Sequence, residues 1–547
     1  MENIEIYPVS ELDKILPDRT PTRWDDTLSG FSGQNASFQL AVNFGRANCP
    51  LRHLTARIIA DGARVAAYKV ELVPVSVPGF NLDKDGYLVD YPGLLPDRLS
   101  AIENIGEGDA AAFTLTRTHI GWHGFWFDVQ LPASRVTVEV FANDEKIADF
   151  DFPVLVIEES LPPMDFVSTR WFHVDSLADV LGMEVWSEEH WAAIEAHLAS
   201  AARMGINSVL TPLWSPPLDT AVGSYRTTSQ LLDIVEIEPG VYRFGTERAD
   251  RWIELMREGG ITSVEVPHLF TQWGAKACPA FWIERDGEAE RCFGWDTPAT
   301  DPQYQKFLEQ LIPFLRDYLD EKLGHEHVWF HISDEPSHDQ LDSYRAARAV
   351  ALPLLEGAQV IDALSAPAYN ELVAYPVVAV DAVKGFRDIG VEPAWVYYCV
   401  SQNHDAANQF IAQRGARHRL FGLQLYKNQA RGFLHWAYNF YYSQYSRGLI
   451  DPYRDTSAGG GFISGDSFIV YPKPDGTVEE SLRHRMLGDG FRDLATCQYA
   501  EKLLGRDAVL HIIDPAGDLD YQSGWISEDE LLRRIQKLHQ AIVEAVS

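Results

Sequence analysis

The sequence predicts an α/β protein in which a (β/α)8 TIM-like barrel is preceded by an N-terminal β-sandwich domain. Up to about residue 160, apolar residues alternate with polar ones and no long helical pattern intervenes, which is typical of sandwich strands. From Asp165 onward, strands alternate with helices, which indicates a parallel sheet. Eight candidate strands favour a closed barrel over an open sheet. We therefore predict a β-sandwich domain at 1–160 and a barrel with a C-terminal helical extension at 161–547.

Periodicity and helix caps place the elements along the chain. In the first domain, alternating apolar residues predict strands near 38–44, 125–131 and 136–140. In the second domain, capping side chains predict helices that begin after Ser187, Asp301 and Ser527. The strands of the barrel are predicted at 166–172, 207–214, 262–270, 327–332, 359–364, 377–382, 394–400 and 432–438.

The composition excludes several classes of protein. The chain has 46 basic and 79 acidic residues and a net charge of −33, which argues against nucleic acid or an anionic membrane surface as a partner. Its five cysteines are scattered without a CxxC spacing, so neither a disulfide framework nor a zinc site is indicated. No signal peptide and no apolar run of membrane-spanning length is visible, so we expect a cytoplasmic protein. The sequence leaves open whether it forms a homo-oligomer.

The stretch HVWFHISDEP, residues 327–336, carries the strongest indication of a functional site. Its apolar part predicts a buried strand that ends in two adjacent carboxylates, Asp334 and Glu335. Because an unpaired charge is costly to bury, these side chains should lie where the strand emerges into solvent or a cleft. Pro336 removes the next backbone donor and ends the strand. A (β/α)8 barrel keeps its catalytic groups at strand ends, so we predict that Asp334 and Glu335 are catalytic.

Aromatic and polar residues also cluster after other predicted strands. A pyranose ring has apolar faces and polar edges, so aromatic side chains around carboxylates are typical of a sugar site. Tyr397 and Tyr398 are successive strand residues, so one should face the barrel interior and the other the helices; the sequence does not indicate which. The candidates for binding a substrate are Trp171, His268, Trp273, Tyr397, Tyr398, Trp436 and Asn439.

Two adjacent acids suit one particular glycosidase mechanism. Retaining and inverting enzymes normally hold two carboxylates on opposite sides of the scissile bond, which neighbours in sequence do not easily achieve. Adjacent acids suit a substrate-assisted reaction, in which the 2-acetamido group of the sugar is the nucleophile. The first acid then orients the acetamide N–H and stabilises an oxazolinium ion, and the second protonates the leaving oxygen.

Several stretches resemble glycoside hydrolase family 123, the β-N-acetylgalactosaminidases, and the wider set of proteins similar to it. The resemblance covers most of the chain and implies a β-sandwich before a (β/α)8 barrel. Its motifs are individually short, but their order and spacing agree with the family. The matching stretches are VPHLF (266–270) running into WGA (273–275), DEP (334–336), WVYYC (395–399), GFLHW (432–436) with Asn439, and GDSFIVYP (465–472).

The resemblance implies an exo-acting, retaining enzyme that releases a terminal β-linked N-acetylgalactosamine without a metal or cofactor. It implies that Asp334 orients the acetamido group and that Glu335 is the general acid/base. A tyrosine of the Tyr397–Tyr398 pair would donate a hydrogen bond to the acetamido carbonyl, and Trp436 would form a wall of the pocket that binds the sugar. The sequence does not separate the galacto from the gluco configuration. A glycan or oligosaccharide, taken up as a small molecule, is the expected partner.

Other interpretations stay open. An exo-glycosidase of other specificity, for β-linked N-acetylglucosamine or for a sugar without an acetamido group, would keep the same barrel. A carbohydrate-binding protein without catalysis would keep the aromatic cleft. Asp334 and Glu335 could instead form a salt bridge at a strand end.

We expect neither a metal site nor a thiol nucleophile. Of His325, His327 and His331, the first two lie at the start of their strand, which is the stability face of a barrel. Only sequence proximity links Cys399 with Asn403 and His404, and a free cysteine is usually buried packing.

Overall fold

A computed structural model describes residues 4–45, 51–80, 86–106, 108, 110–336, 338–522 and 526–547. The chain forms two compact units. The first comprises Met1–Asp165, Asn403–Asn428 and Glu479–Ser547, and the second comprises Phe166–Gln402 and Gln429–Val478. The first unit is thus built from three separate stretches. The predicted domains at 1–160 and 161–547 are continuous segments, and that division stays a prediction.

Within its described residues the first unit contains two five-stranded sheets. Their strands are β1 (Glu5–Val9), β2 (Leu28–Phe31), β3 (Asn35–Asn43), β4 (His53–Ile59), β5 (Val65–Val75), β6 (Gly93–Ile102), β7 (Ala110–Thr116), β8 (Trp122–Gln130), β9 (Arg135–Ala142) and β10 (Glu145–Ile157). The order is β1-β3-β8-β5-β6 in one sheet and β2-β10-β9-β4-β7 in the other. Both sheets contribute to one hydrophobic core, to which β3 adds Phe38 and β9 adds Val138. Burial alternates along β9, as expected for a strand with one face on a core.

Eight parallel strands of the second unit close into a barrel. In chain order, the remaining strands are β11 (Val167–Trp171), β12 (Ser208–Leu210), β13 (Asp233–Glu238), β14 (Val241–Gly245), β15 (Ser263–Glu265), β16 (Ala280–Arg285), β17 (Glu288–Phe293), β18 (Val328–Phe330), β19 (Gln359–Leu364), β20 (Tyr375–Ala379), β21 (Trp395–Tyr397), β22 (Gly432–His435), β23 (Val470–Pro472) and β24 (Val478–Glu480). The barrel order is β11-β12-β15-β18-β19-β20-β21-β22, and β22 pairs with β11. Each of the eight predicted strands is confirmed.

The helices of the chain include three that begin at the predicted caps. They are α1 (Val174–Leu181), α2 (Glu188–Arg203), α3 (Glu247–Glu258), α4 (Pro302–Leu323), α5 (Leu341–Ala351), α6 (Val383–Asp388), α7 (Gly415–Lys427), α8 (Leu482–Leu504), α9 (Arg506–Ile513) and α10 (Glu528–Val546). Ser187, Asp301 and Ser527 each accept a hydrogen bond from a backbone N–H of the first turn of α2, α4 and α10. These hydrogen bonds satisfy donors that have no partner within the helix.

Two features of the second unit differ from the predicted elements. Strands β12, β15 and β18 have three residues each, because the chain stops pairing with the neighbouring strands after three residues and continues as loops. These loops supply much of the cavity described below. The second feature is a four-stranded sheet of order β14-β13-β16-β17, which the sequence did not predict. Its strands carry many charged, exposed residues, so they lack the apolar alternation that marks a half-buried strand.

The described residues contain neither a disulfide nor a helix that could cross a membrane. Cys278, Cys292, Cys399 and Cys497 are free thiols, and Cys49 lies outside the described residues. No described helix is both long and apolar enough to cross a membrane. In the described part of the chain, no group of three or more His, Cys, Asp or Glu side chains is placed to hold a metal ion.

Candidate active site

Asp334 and Glu335 lie on the loop that follows β18, at the carboxyl end of the barrel. Successive residues of a strand point to opposite sides, which would separate the two carboxylates. Glu335, however, has a φ of +36°, in the left-handed region that residues other than glycine rarely adopt. With this turn both side chains line the same cavity. Strained backbone of this kind is concentrated at functional sites.

The cavity has a volume of about 180 Å³ and opens at the carboxyl ends of the barrel strands. Its floor is formed by side chains of four strands, Trp171 of β11, Ala363 of β19, Tyr397 of β21 and Leu434 of β22. Its walls come from the loops and comprise Leu218, Asp219, Gln272, Trp273, Asp334, Glu335, Cys399, Val400, Ser401, Trp436, Gln444, Tyr445, Phe462 and Asp466. Apolar walls with a few converging polar groups are typical of small-ligand sites.

Glu335 is held by a tyrosine from the floor of the cavity. The Oη of Tyr397 donates a hydrogen bond to Oε1 of Glu335. Burial raises the pKa of Glu335, the hydrogen bond from Tyr397 opposes that rise, and the charge of Asp381 adds to it. The net effect is a raised pKa, so Glu335 keeps its proton closer to neutral pH than a solvated glutamic acid does. This is the protonation state that a general acid needs.

The pKa of Asp334 is raised well above its ordinary value, first by burial and then by the neighbouring Glu335. The charge of His331 opposes this rise, whereas Asp362 and Asp219 add to it. Two carboxyl groups this close titrate as a pair, so that over part of the pH range one proton is shared between them. Among the described residues, no side chain donates a hydrogen bond to the Asp334 carboxyl, so its oxygens are available to a ligand.

Beneath the two acids lies a buried cluster of Glu265, His331 and Asp362. Nε2 of His331 lies 2.5 Å from Oε2 of Glu265, and its Nδ1 lies 3.6 Å from Oδ1 of Asp362. These two carboxylates raise the pKa of His331 to about 9 against the opposing effect of burial. The imidazole is therefore a cation at neutral pH.

Another part of the cavity wall is built around Asp219. Its carboxylate accepts a hydrogen bond of 2.9 Å from the backbone N–H of Tyr445, and burial raises its pKa to about 6. Behind this wall, Arg226 forms a two-pronged ion pair with Asp175, at 2.7 and 2.6 Å. A bidentate pair fixes both side chains, so it gives the wall a rigid support.

Of the predicted substrate-binding residues, Trp171, Trp273, Tyr397 and Trp436 line the cavity with the two acids. His268, Tyr398 and Asn439 do not; all three are buried. His268 stacks on His331 with ring centroids 4.3 Å apart. Tyr398 packs against Phe433 and His435, so Tyr397 is the member of the tyrosine pair that faces the cavity. Asn439 accepts a hydrogen bond from the backbone N–H of His173.

Sequence analysis did not find the other carboxylates around Asp334 and Glu335. Glu265 and Asp362 lie in otherwise apolar strands, and a charge in such a strand is itself an indication of a buried polar network. Asp466 lies within the quoted stretch 465–472 without having been assigned a role. It accepts a 3.1 Å hydrogen bond from Nε1 of Trp436 and so fixes that indole in the wall. The sequence around Asp219 shows neither a charge within an apolar strand nor a stretch that resembles the family.

Comparison with known proteins agrees with this geometry. The family model described as "Glycoside hydrolase 123, catalytic domain" matches residues 171–500, more than half of the chain. The chain belongs to glycoside hydrolase family 123. The family match includes both adjacent acids and every residue of the cavity. This member of family 123 is therefore a glycoside hydrolase.

A solved structure of the same family resembles the whole chain of this family 123 enzyme. It is the family 123 glycoside hydrolase from Clostridium perfringens studied for glycolipid glycan hydrolysis, with a TM-score of 0.69 and 15% identity over 100% of this chain and 98% of that chain. Identity this low shows the fold alone. The xylanase 10B modules from Clostridium thermocellum match at 8% identity over 89% of this chain and 93% of that chain, with a TM-score of 0.31, too low to support an argument. The chain matches none of the curated proteins.

Proposed function

We propose that this family 123 enzyme is an exo-acting, retaining β-N-acetylgalactosaminidase in which the 2-acetamido group of the substrate is the nucleophile. One observation carries the proposal. Asp334 and Glu335 are adjacent in the chain and line one cavity with aromatic walls. An enzyme that supplies its own nucleophile holds two acids about 5 Å apart on opposite sides of the scissile bond. Two acids on a single turn instead approach the sugar from one loop, as substrate assistance requires.

In this proposal, Asp334 accepts the hydrogen bond of the acetamide N–H. That contact orients the carbonyl oxygen of the acetamido group towards the anomeric carbon, and the carboxylate stabilises the positive charge of the oxazolinium ion that forms. The acetamide N–H also favours the ionised form of Asp334. Binding of substrate then draws the shared proton of the pair to Glu335, where it is needed.

Glu335 donates that proton to the glycosidic oxygen as the bond to the anomeric carbon breaks. Its carboxylate next removes a proton from the water that opens the oxazolinium ring, which restores the acid and gives retention of configuration. The raised pKa of Glu335 suits the first step. Tyr397 has one hydroxyl proton to donate. When Glu335 is protonated, Tyr397 can donate to the acetamido carbonyl instead of to Glu335.

The dimensions and walls of the cavity support action on a single terminal sugar. A volume of about 180 Å³ is small, and Trp171, Trp436 and Phe462 offer flat or apolar surfaces to the C–H faces of a ring. The relative from Clostridium perfringens acts on glycolipid glycans, which is consistent with release of a terminal amino sugar. The galacto configuration rests on the resemblance to the family. A cytoplasmic location, with small imported oligosaccharides as substrates, stays a prediction.

A second candidate is an exo-glycosidase that uses an ordinary two-carboxylate mechanism on a sugar without an acetamido group. The specific observation that favours it is that Asp219 and Asp466 line the same cavity from other loops. Either could face Glu335 across a glycosidic bond. However, the Asp219 carboxylate is engaged by the backbone N–H of Tyr445, and Asp466 is engaged by Trp436. Both features make these carboxylates poorer nucleophiles than a free one.

Hydrolysis of a panel of p-nitrophenyl β-glycosides by the purified protein tests the proposed function. We expect release from the N-acetyl-β-galactosaminide, and loss of at least 10²-fold in kcat/KM, on the order of the contribution of a positioned catalytic group, for the β-galactoside that lacks the acetamido group. Fluorination of the acetamido methyl should lower kcat/KM progressively, because the carbonyl becomes a weaker nucleophile. Faster hydrolysis of the β-galactoside would overturn the proposal and favour the two-carboxylate mechanism.

Replacing Tyr397 with phenylalanine should shift the pH profile in a defined direction. The hydrogen bond from Tyr397 stabilises the ionised form of Glu335, so its loss raises the pKa of Glu335 further. Glu335 then keeps its proton to higher pH, and the alkaline limb of kcat/KM should move to higher pH by about one unit. Tyr398→Phe is the matched control, since that hydroxyl lies outside the cavity and its loss should leave the limb in place. A shift to lower pH in Tyr397→Phe would contradict this account.

A further inference from the structure

The cluster of Glu265, His331 and Asp362 has a second set of contacts that reaches the catalytic cavity from below. Asp362 accepts hydrogen bonds from the backbone N–H groups of Ile332 and Ser333, at 2.9 and 3.3 Å. Its other oxygen accepts a 2.5 Å hydrogen bond from Oη of Tyr344. Asp362 therefore fixes the two residues that lead directly into Asp334.

Glu265 links the same cluster to the floor of the cavity. It accepts a 3.1 Å hydrogen bond from Nε1 of Trp171 and a further one from the hydroxyl of Thr169. Glu265, His331 and Asp362 are each fully buried. A buried carboxylate is tolerated only when it is paired, so His331 is the cation that allows two carboxylates to lie beneath the acid pair.

We propose that His331 is a positioning residue, which holds Trp171 and the Asp334 loop in place through its two carboxylate partners and favours the ionised form of Asp334 by its positive charge. This inference rests on the proposed function, because it assigns the ionised form of Asp334 a role in orienting the acetamido group. His331 does not line the cavity, and it acts on the substrate only through Asp334 and Trp171.

The charged and titratable groups on the elements that pack against His331 support this role. Glu265 of β15 and Asp362 of β19 lie on either side of the ring and raise the pKa of His331 to about 9. Asp334 lies three residues further along the same loop. His268, stacked on the ring of His331, has a pKa well below its ordinary value because of burial and the His331 charge, so it adds no positive charge. His331 is thus the charge that opposes the rise in the pKa of Asp334.

The substitution His331→Gln tests this inference, with the acidic limb of kcat/KM on the N-acetyl-β-galactosaminide as the readout. Removing the cation raises the pKa of Asp334, so Asp334 becomes protonated at higher pH. We expect the acidic limb to move to higher pH by about one unit, with about tenfold lower kcat/KM on the acidic side. The loss should be equal for p-nitrophenyl and 2,4-dinitrophenyl aglycones, because Asp334 acts on the acetamido group and not on the leaving oxygen.

His197→Gln is the matched control. His197 is a buried histidine of α2 in the same unit, hydrogen-bonded to the carbonyl of Ala193, and burial lowers its pKa to about 4, so no charge is lost. It should leave the acidic limb unchanged. An unshifted acidic limb in His331→Gln, or a loss that the 2,4-dinitrophenyl aglycone relieves, would overturn the inference. Absence of wild-type hydrolysis of the acetamido substrate would instead overturn the proposed function.

Glu265→Gln keeps the inference testable if His331→Gln does not fold. Glutamine retains an acceptor for the indole of Trp171 but removes one of the two carboxylates that stabilise the His331 cation. The pKa of His331 should fall from about 9 towards neutrality. His331 is then charged in a smaller fraction of the molecules, so the acidic limb of kcat/KM should lie between that of the wild type and that expected for His331→Gln. An acidic limb identical to that of the wild type would contradict the role of His331.

Discussion

The variant Asp334→Asn is expected to lower kcat on the N-acetyl-β-galactosaminide by about 10²- to 10³-fold, the usual cost of removing one group that stabilises charge in a transition state. Asparagine is nearly isosteric and can still accept the acetamide N–H. It carries no negative charge, so it cannot stabilise the oxazolinium ion. The measurement is kcat and KM by release of p-nitrophenol. Because the lost interaction strengthens only in the transition state, KM should change much less than kcat.

Two further carboxylates of the same cavity provide the comparison that this variant needs. Asp219→Asn and Asp466→Asn make the same chemical change at the other acidic positions. In the substrate-assisted mechanism both should retain more activity than Asp334→Asn. The loss in Asp334→Asn should also be the same for p-nitrophenyl and 2,4-dinitrophenyl aglycones, because it affects attack by the acetamido group and not protonation of the leaving oxygen. If Asp219→Asn or Asp466→Asn is the more damaging change, the nucleophile is a carboxylate of the enzyme.

The barrel could be predicted from the sequence because its strands are short apolar segments between recognisable helices. Parallel strands are buried on both faces, so β19 and β21 appear as apolar segments that polar residues flank. The sheet formed by β13, β14, β16 and β17 lacks this property. Its strands are exposed and rich in charge, and pairing between distant segments stabilises them. Pairing of this kind cannot be predicted from a local sequence pattern.

The composition of the site could be predicted only in part, for a similar reason. The ends of strands β11, β18 and β21 locate Trp171, the two acids and Tyr397, because barrel topology brings these ends together. Whether Tyr397 or Tyr398 faces inward depends on the register of β21 within the closed barrel, which the sequence leaves open. Asp219 and Tyr445 meet through loops that are 226 residues apart in the chain. Their contact follows from closure of the whole barrel.

The turn at Glu335 is another feature that spacing alone did not indicate. Its positive φ places two neighbouring carboxylates on one side of the chain, where an extended strand would separate them. Trp273 and Tyr445, which line the same cavity, also have positive φ, at 59° and 62°. Strained conformations cost of order 1–3 kcal/mol each and persist only where the surrounding structure holds them. The chain thus gives up some stability to bring these side chains around one cavity.

The variant Glu335→Gln is expected to lower kcat/KM on the p-nitrophenyl substrate by about 10²- to 10⁴-fold, the usual contribution of a positioned general acid. Glutamine keeps the size of the side chain and an acceptor for Tyr397, but it has no proton of suitable acidity to give. A 2,4-dinitrophenyl aglycone leaves without protonation, so cleavage of that substrate should be largely restored. The alkaline limb of the pH profile, which reports loss of the Glu335 proton, should disappear in the same variant.

These two readouts separate the roles of the adjacent acids. Asp334→Asn should be equally impaired on both aglycones, whereas the glycosidic cleavage step of Glu335→Gln should be impaired only where the leaving oxygen needs a proton. With the 2,4-dinitrophenyl substrate, Glu335→Gln should also show an initial burst, because opening of the oxazolinium ring by water still lacks its base. Added azide, which needs no base, should then form the β-glycosyl azide and raise turnover. An equal loss on both aglycones in Glu335→Gln would contradict its role as the acid.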